Sequence, residues 1–170
     1  MTLPDGLELR PLTEDLPRLV TGWSAVAALE PDGPHLDEAA ELAAAFAGLP
    51  ADRFAHSDLR DDNILLAPDG RTLACDWNWP ALAPAWVDLV DVLVSAHGDG
   101  LDADALLAER ALTRDVPDDD IDAWLAAFAG FMYESQAQPV PATSPYLRQH
   151  AQWYAAAAWS WLSRRRGWDG

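Results

Sequence analysis

Apolar positions recur at helical spacing along most of this chain, with one short interval of strand-like pattern between residues 63 and 77. Thr13, followed by Glu14 and Asp15, reads as the N-cap of a helix running to about Leu29, with Pro17 confined to its first turn. Asp37 is placed to cap an Ala-rich helix whose Leu42 and Phe46 fall at i and i+4, and Gly48 with Pro50 ends it. The run Ala85 to Val94 is apolar enough for a buried helix, and Asp102 caps a short one. Asp118-Asp119-Asp120 opens another, with Ile121, Leu125, Phe128 and Met132 on one face. Ser144 as N-cap and Pro145 at the first position then begin a long helix, closed by Arg164-Arg165-Arg166 and Gly167.

Asn63 to Ala67 is a short apolar strand, Pro68-Asp69-Gly70-Arg71 a turn and Thr72 to Trp77 a second strand. The expected fold class is therefore mainly α with one small β-hairpin. Residues 1–12, carrying Pro4, Gly6 and Pro11, read as a lead-in without regular structure, and residues 13–168 as one domain. A hairpin returns the chain to its starting point, so Asn63 and Asp76 are expected to meet.

Composition narrows the function. With 170 residues, half of them apolar, the chain is long enough to bury a core. Acids outnumber bases 28 to 11, for a net charge of -17, which disfavours nucleic acid and anionic membranes and favours cationic ligands wherever acids gather at a pocket. Every one of the 11 cations is Arg, which excludes mechanisms needing a Lys from this chain. A lone Cys75, set in an expected buried strand, precludes an internal disulfide and points to a reducing, cytoplasmic setting. The longest nearly uncharged stretch, Ala151 to Leu162, falls short of the ~18 residues that span a bilayer.

The chemistry concentrates in His56-Ser57-Asp58-Leu59-Arg60-Asp61-Asp62-Asn63, followed after the hairpin by Asp76-Trp77. Transfer of a phosphoryl group to an alcohol needs a carboxylate beside the hydroxyl, a role for Asp58, and oxygen donors for magnesium, which Asn63 and Asp76 supply. Arg60 is a cation suited to an oxygen-rich phosphoryl group. No His cluster has the spacing of a hydrolase metal site.

Together with Pro84-Ala85-Trp86-Val87-Asp88-Leu89, these segments resemble the aminoglycoside phosphotransferase family, whose pattern is close to H-G-D-x-x-x-x-N, I-D-W and D-P-A-x-D-L. The resemblance implies the C-terminal lobe of a protein-kinase-like fold, covering roughly residues 13–168. It implies Asp58 as catalytic base, Asn63 and Asp76 as ligands of magnesium and thereby of ATP or GTP, and Asp88 as a buried support of the catalytic loop. His56 is implied as a residue that shapes the same loop. The implied acceptors are small hydroxylated molecules, cationic amines among them. Trp124, Trp153, Trp159 and Trp161 are expected on helices that wall the acceptor site or pack the core, and Trp79 beside it. Ser57 in place of the family's Gly counts as a small change. Nothing resembling a strand-rich N-terminal lobe with its Lys precedes the motif, so the expectation is a C-terminal lobe of a longer enzyme, a truncated frame or half of a two-chain enzyme, weak alone. The alternative is a non-catalytic module that binds a partner chain or a cationic small molecule.

Overall fold

The computed structural model describes residues 8–30 and 32–168, and the expectation for residues 1–7 lies outside them. Seven helices and four three-residue strands follow in the order α1 (Leu12–Asp15), α2 (Arg18–Leu29), α3 (Leu36–Phe46), β1 (Arg53–Ala55), β2 (Ile64–Leu66), β3 (Thr72–Ala74), β4 (Ala81–Ala83), α4 (Val87–Gly98), α5 (Ala103–Glu109), α6 (Asp118–Gln136) and α7 (Leu147–Arg166). The fold is mainly helical, as the apolar periodicity predicts, with two small antiparallel sheets, β2–β3 and β1–β4.

Helix α6 is the centre. Beyond the predicted stripe of Ile121, Leu125, Phe128 and Met132, every residue from 121 to 130 is buried, because α2, α3 and α7 all pack against it. Ala123, Ala126, Ala127, Ala129 and Gly130 make this possible, since small side chains let neighbouring helices approach from several directions. The closest crossing is glycine on glycine: a Cβ placed on Gly22 of α2 would stand 2.6 Å from the carbonyl of Gly130. Trp23, beside that crossing, donates its indole N–H to Ala126 O at 2.8 Å.

Several element boundaries differ from the sequence expectation. The first helix is broken, not continuous from Thr13: Leu16 adopts φ -129 because the following Pro17 disfavours helical geometry in the residue before it. Pro17 then becomes the N-cap of α2. Residues just before α1 are also ordered onto the fold, with Pro11 bridging Leu82 in parallel and Leu82 N donating to Arg10 O at 2.9 Å. His35, at φ 58, occupies the N-cap of α3, and Asp37 lies in the first turn instead. Ser144 and Pro145 form a tight turn before α7, which begins at Leu147.

Candidate active site

Three short devices hold the loop from His56 to Asn63. Its entrance is pinned from α4, where the Asp88 carboxylate accepts the backbone N–H of His56 at 2.8 Å and of Ser57 at 2.9 Å. Asp88 itself is half-buried at the N-terminus of α4, where the helix dipole also favours a negative group. Its middle is held by the buried ring of His56, whose Nε2 lies 2.8 Å from Cys75 O; a carbonyl only accepts, so Nε2 carries the hydrogen. The exit is a 3-10 turn, Asp61–Asn63, with Asn63 N donating to Arg60 O at 3.0 Å.

Asp58 sits between these anchors. Asn63 donates through Nδ2 to Asp58 O at 2.8 Å and to Asp58 Oδ2 at 3.3 Å, which fixes the carboxylate and leaves the Asn63 amide oxygen without a hydrogen bond among the described residues. Burial raises the pKa of Asp58 above its ordinary value; the neighbouring Arg60 opposes that rise, while Asp62 and Asp76 add to it. Arg60 Nε lies 3.3 Å from both Asp58 Oδ1 and Asp62 Oδ1, close enough for attraction but not aligned as hydrogen bonds. Its guanidinium also stacks 4.9 Å from the centroid of Tyr154. Only 15% of the Arg60 side chain is exposed, so its charge is directed inward to the acids of the loop.

Asp76 follows β3 with φ 60, a left-handed conformation that is uncommon away from glycine. Asn78 donates its side-chain N–H to the Asp76 carboxylate. The hairpin brings Asp76 near Asn63 as expected, since Cys75 N donates to Asn63 O at 2.9 Å. Cys75 is only partly buried, because β2 and β3 expose both their faces and leave no core over the strand. Leu66 is 81% exposed, and Leu65, Leu73, Trp77 and Trp79 are exposed with it.

A cavity of about 610 Å³ opens over Asp58 and Arg60, walled by Trp79, Phe131, Met132 and Leu147. Trp79 therefore stands at the site. Trp124 and Trp161 pack instead in the core, and Trp159 lines a different cavity. Arg18 and Arg148 also reach the wall, the first paired with Glu134 at 2.9 Å and the second donating to Ser135 O at 2.7 Å.

Sequence reading missed the far side of the loop. Tyr154 on α7 donates its hydroxyl to Asp61 Oδ1 at 2.6 Å, and His150 one turn earlier lies 3.8 Å from Asp62. Asp61 N faces Ser95 Oγ at 3.4 Å. The spacing of Asp88, Asp91 and Ser95 is a signal for this, because one turn of helix apart they form a polar stripe on the otherwise apolar α4. Asp91 is fully buried and accepts the Trp124 indole N–H at 2.8 Å, and its pKa is raised well above the usual value, first by burial and then by the charge of Asp88.

Among the described residues no group of three or more His, Cys, Asp or Glu side chains surrounds a metal position. Magnesium does not demand one, because it keeps several waters and phosphate oxygens and takes one or two protein ligands. The unengaged Asn63 amide oxygen and the Asp76 carboxylate fit that donor set. No protein-family model, curated protein or solved structure matches the chain. No helix among the described residues is long and apolar enough to cross a membrane.

Proposed function

We propose that this chain carries the catalytic lobe of a phosphotransferase of the aminoglycoside and small-molecule kinase type, moving the γ-phosphoryl group of ATP or GTP to a hydroxyl of a small molecule. One observation carries the reading: Asp58 is fixed by Asn63, flanked by Arg60 at 3.3 Å and exposed to a cavity large enough for a small molecule. Asp58 accepts the proton of the attacking hydroxyl, and its raised pKa makes it a stronger base than an ordinary carboxylate. Asn63 and Asp76 would hold magnesium, which neutralises the nucleotide phosphates when bound. Arg60, 3.3 Å from Asp58 Oδ1, restrains the rise of its pKa and would offer its guanidinium to the transferring phosphoryl group. His56 and Asp88 hold the loop in shape.

Calorimetry with nucleotide, with and without magnesium, tests the reading, followed by turnover with hydroxylated acceptors. Magnesium-dependent nucleotide binding that disappears in Asp76→Ala, with transfer reduced by orders of magnitude in Asp58→Asn, is the expected result. Unchanged turnover in Asp58→Asn ends the assignment. The exposed leucines of the hairpin favour a second reading, a non-catalytic module that engages a partner chain beside the loop. That reading predicts no magnesium-dependent nucleotide binding at all.

A further inference from the structure

A second cavity, of about 520 Å³, lies on another face of α6, between α2, α7 and the start of α3. Its wall is aromatic. Trp23, Tyr133 and Trp159 meet at ring-centroid distances of 5.2 to 6.5 Å, and their planes are inclined to one another by 50 to 77°. Inclined rings form a corner with π-faces on more than one side, unlike a flat stack, and a corner of that kind suits a rounded cation. The corner is built into the backbone crossing: a Cβ on Gly130 would come within 2.7 Å of the Trp23 indole, so glycine there is what seats the ring.

The electrostatics point the same way. Glu30, at the C-cap of α2, lines the cavity and has no ion-pair partner among the described residues. The C-terminus of α6, at Gln136 and Ala137, lines it as well. Two helix C-termini thus turn the negative ends of their dipoles toward one space, that of α6 being met by Arg148. Arg148, the cation in the wall, is committed to the end of α6, donating to Ser135 O at 2.7 Å and Pro139 O at 3.1 Å. Burial and the charge of Glu30 both raise the pKa of Tyr133. A net charge of -17 adds long-range attraction for a cation.

We infer that the cavity bounded by Trp23, Tyr133, Trp159 and Glu30 is a binding site for a small alkylated ammonium ion, separate from the site at Asp58. Tyr133 and Trp159, both partly exposed, supply the faces over which the methyl groups of such an ion spread its charge, Trp23 backs them from the core at 2% exposure, and Glu30 supplies the counter-charge.

Titration of the full chain with choline in the absence of nucleotide, followed by tryptophan fluorescence and calorimetry, tests this. The uncharged tert-butyl analogue of choline serves as the shape-matched control. Saturable choline binding is expected, with the analogue about tenfold weaker or worse and Glu30→Gln weakened by a similar factor. Glu30 is exposed and its side chain makes no hydrogen bond among the described residues, so the variant should fold, and circular dichroism checks that it does. Asp58→Asn should bind choline as the parent does. The inference is overturned by absence of saturable binding, by equal affinity for the uncharged analogue, by a folded Glu30→Gln that binds unchanged, or by loss of binding in Asp58→Asn, which would move the cation to the other cavity.

Discussion

The Tyr154 hydroxyl donates to the Asp61 carboxylate at 2.6 Å, joining α7 to the loop that carries Asp58 across 93 residues of chain. The same ring lies under the Arg60 guanidinium, so one side chain restrains two neighbours of Asp58 by different means. Tyr154→Phe separates them, because it deletes the hydroxyl and keeps the ring. The hydrogen bond from Tyr154 is the main cause of the lowered pKa of Asp61, and its loss should return Asp61 toward the usual carboxylate value. A lowered carboxylate pKa contributes stability above the unfolded pKa that is lost as pH falls through the folded one. Tyr154→Phe should therefore cost about 1 kcal/mol at neutral pH, a figure reduced for the exposure of Asp61, and the deficit should close toward pH ~3. Urea denaturation at the two pH values measures both effects.

Arg60 and Asp58 predict a pH dependence. Burial raises the Asp58 pKa and Arg60 restrains the rise, so Arg60→Gln should move it further upward. As the base of the proposed transfer, Asp58 works only when deprotonated, and the acid limb of the rate should shift to higher pH in this variant. At neutral pH the rate should also fall by roughly 10- to 100-fold, as expected when a positioned charge near the reacting atoms is removed. The carboxyl carbon resonance of Asp58 reports the same shift without any need for turnover. An unchanged resonance would show that Arg60 does not act on Asp58.

Asp91 predicts the opposite stability profile from Asp61. Its raised pKa means that folding favours the protonated acid, so its contribution is fully present below the unfolded pKa and is lost as pH rises through the folded value. Asn matches the protonated acid in shape, and its carbonyl keeps the acceptor for Trp124. Asp91→Asn should accordingly match the parent at acid pH and exceed its stability at neutral and alkaline pH. Denaturant midpoints across that range decide it, and a variant less stable at every pH contradicts the assignment.

Most of the helices and the hairpin are legible in the sequence because each repeats its period over enough residues to be read. α5 and α6 open where Asp102 and the acids from Asp118 place them, α4 opens at Val87, two residues inside the apolar run from Ala85, and β2–β3 flanks a Pro-Asp-Gly-Arg turn. The pairing of β1 with β4 is not legible. Three-residue strands such as Arg53–Ala55 and Ala81–Ala83 are too short to show alternation, and their partnership is decided by what surrounds them. At the site, His56, Asp58, Asn63, Asp76 and Asp88 stand out because a motif spaces them. Tyr154, His150 and Ser95 do not, since contacts between distant helices leave no local pattern. The tryptophans show the limit of type alone: composition cannot separate Trp79 at the site from Trp161 in the core.

Charge at the end of α7 has a structural use that the helix dipole only partly explains. Arg165 lies within 2.9 Å of Asp104, Asp118 and Asp122, joining α5, the start of α6 and the end of α7. Asp122 is nearly buried, with 4% of its side chain exposed. Arg165→Met should cost about 3 kcal/mol, because it leaves that carboxylate in the protein without its principal partner. Arg164→Met, with its more exposed pair to Asp104, should cost less than about 1 kcal/mol. Adding Asp122→Leu to Arg165→Met should recover most of the loss, a coupling that a double-mutant cycle in urea measures directly.

Ser57 stands in a backbone conformation that its size alone does not reveal. It adopts φ 64, the left-handed region where a glycine carries no Cβ penalty, and its hydroxyl is buried without a hydrogen-bond partner among the described residues. The strain sits one residue before Asp58, where Asp88 holds the backbone N–H at 2.9 Å. Glycine keeps that N–H and removes both the strained Cβ and the orphan hydroxyl. Relief of about 1 to 2 kcal/mol at the backbone is offset by about 0.5 to 1 kcal/mol of added freedom in the unfolded chain. Removal of the buried hydroxyl contributes in the stabilising direction. Ser57→Gly should thus stabilise the protein by about 1 kcal/mol, read as a higher urea midpoint at unchanged slope. A destabilised variant would show that the freedom glycine adds to the unfolded chain outweighs the relief at the backbone.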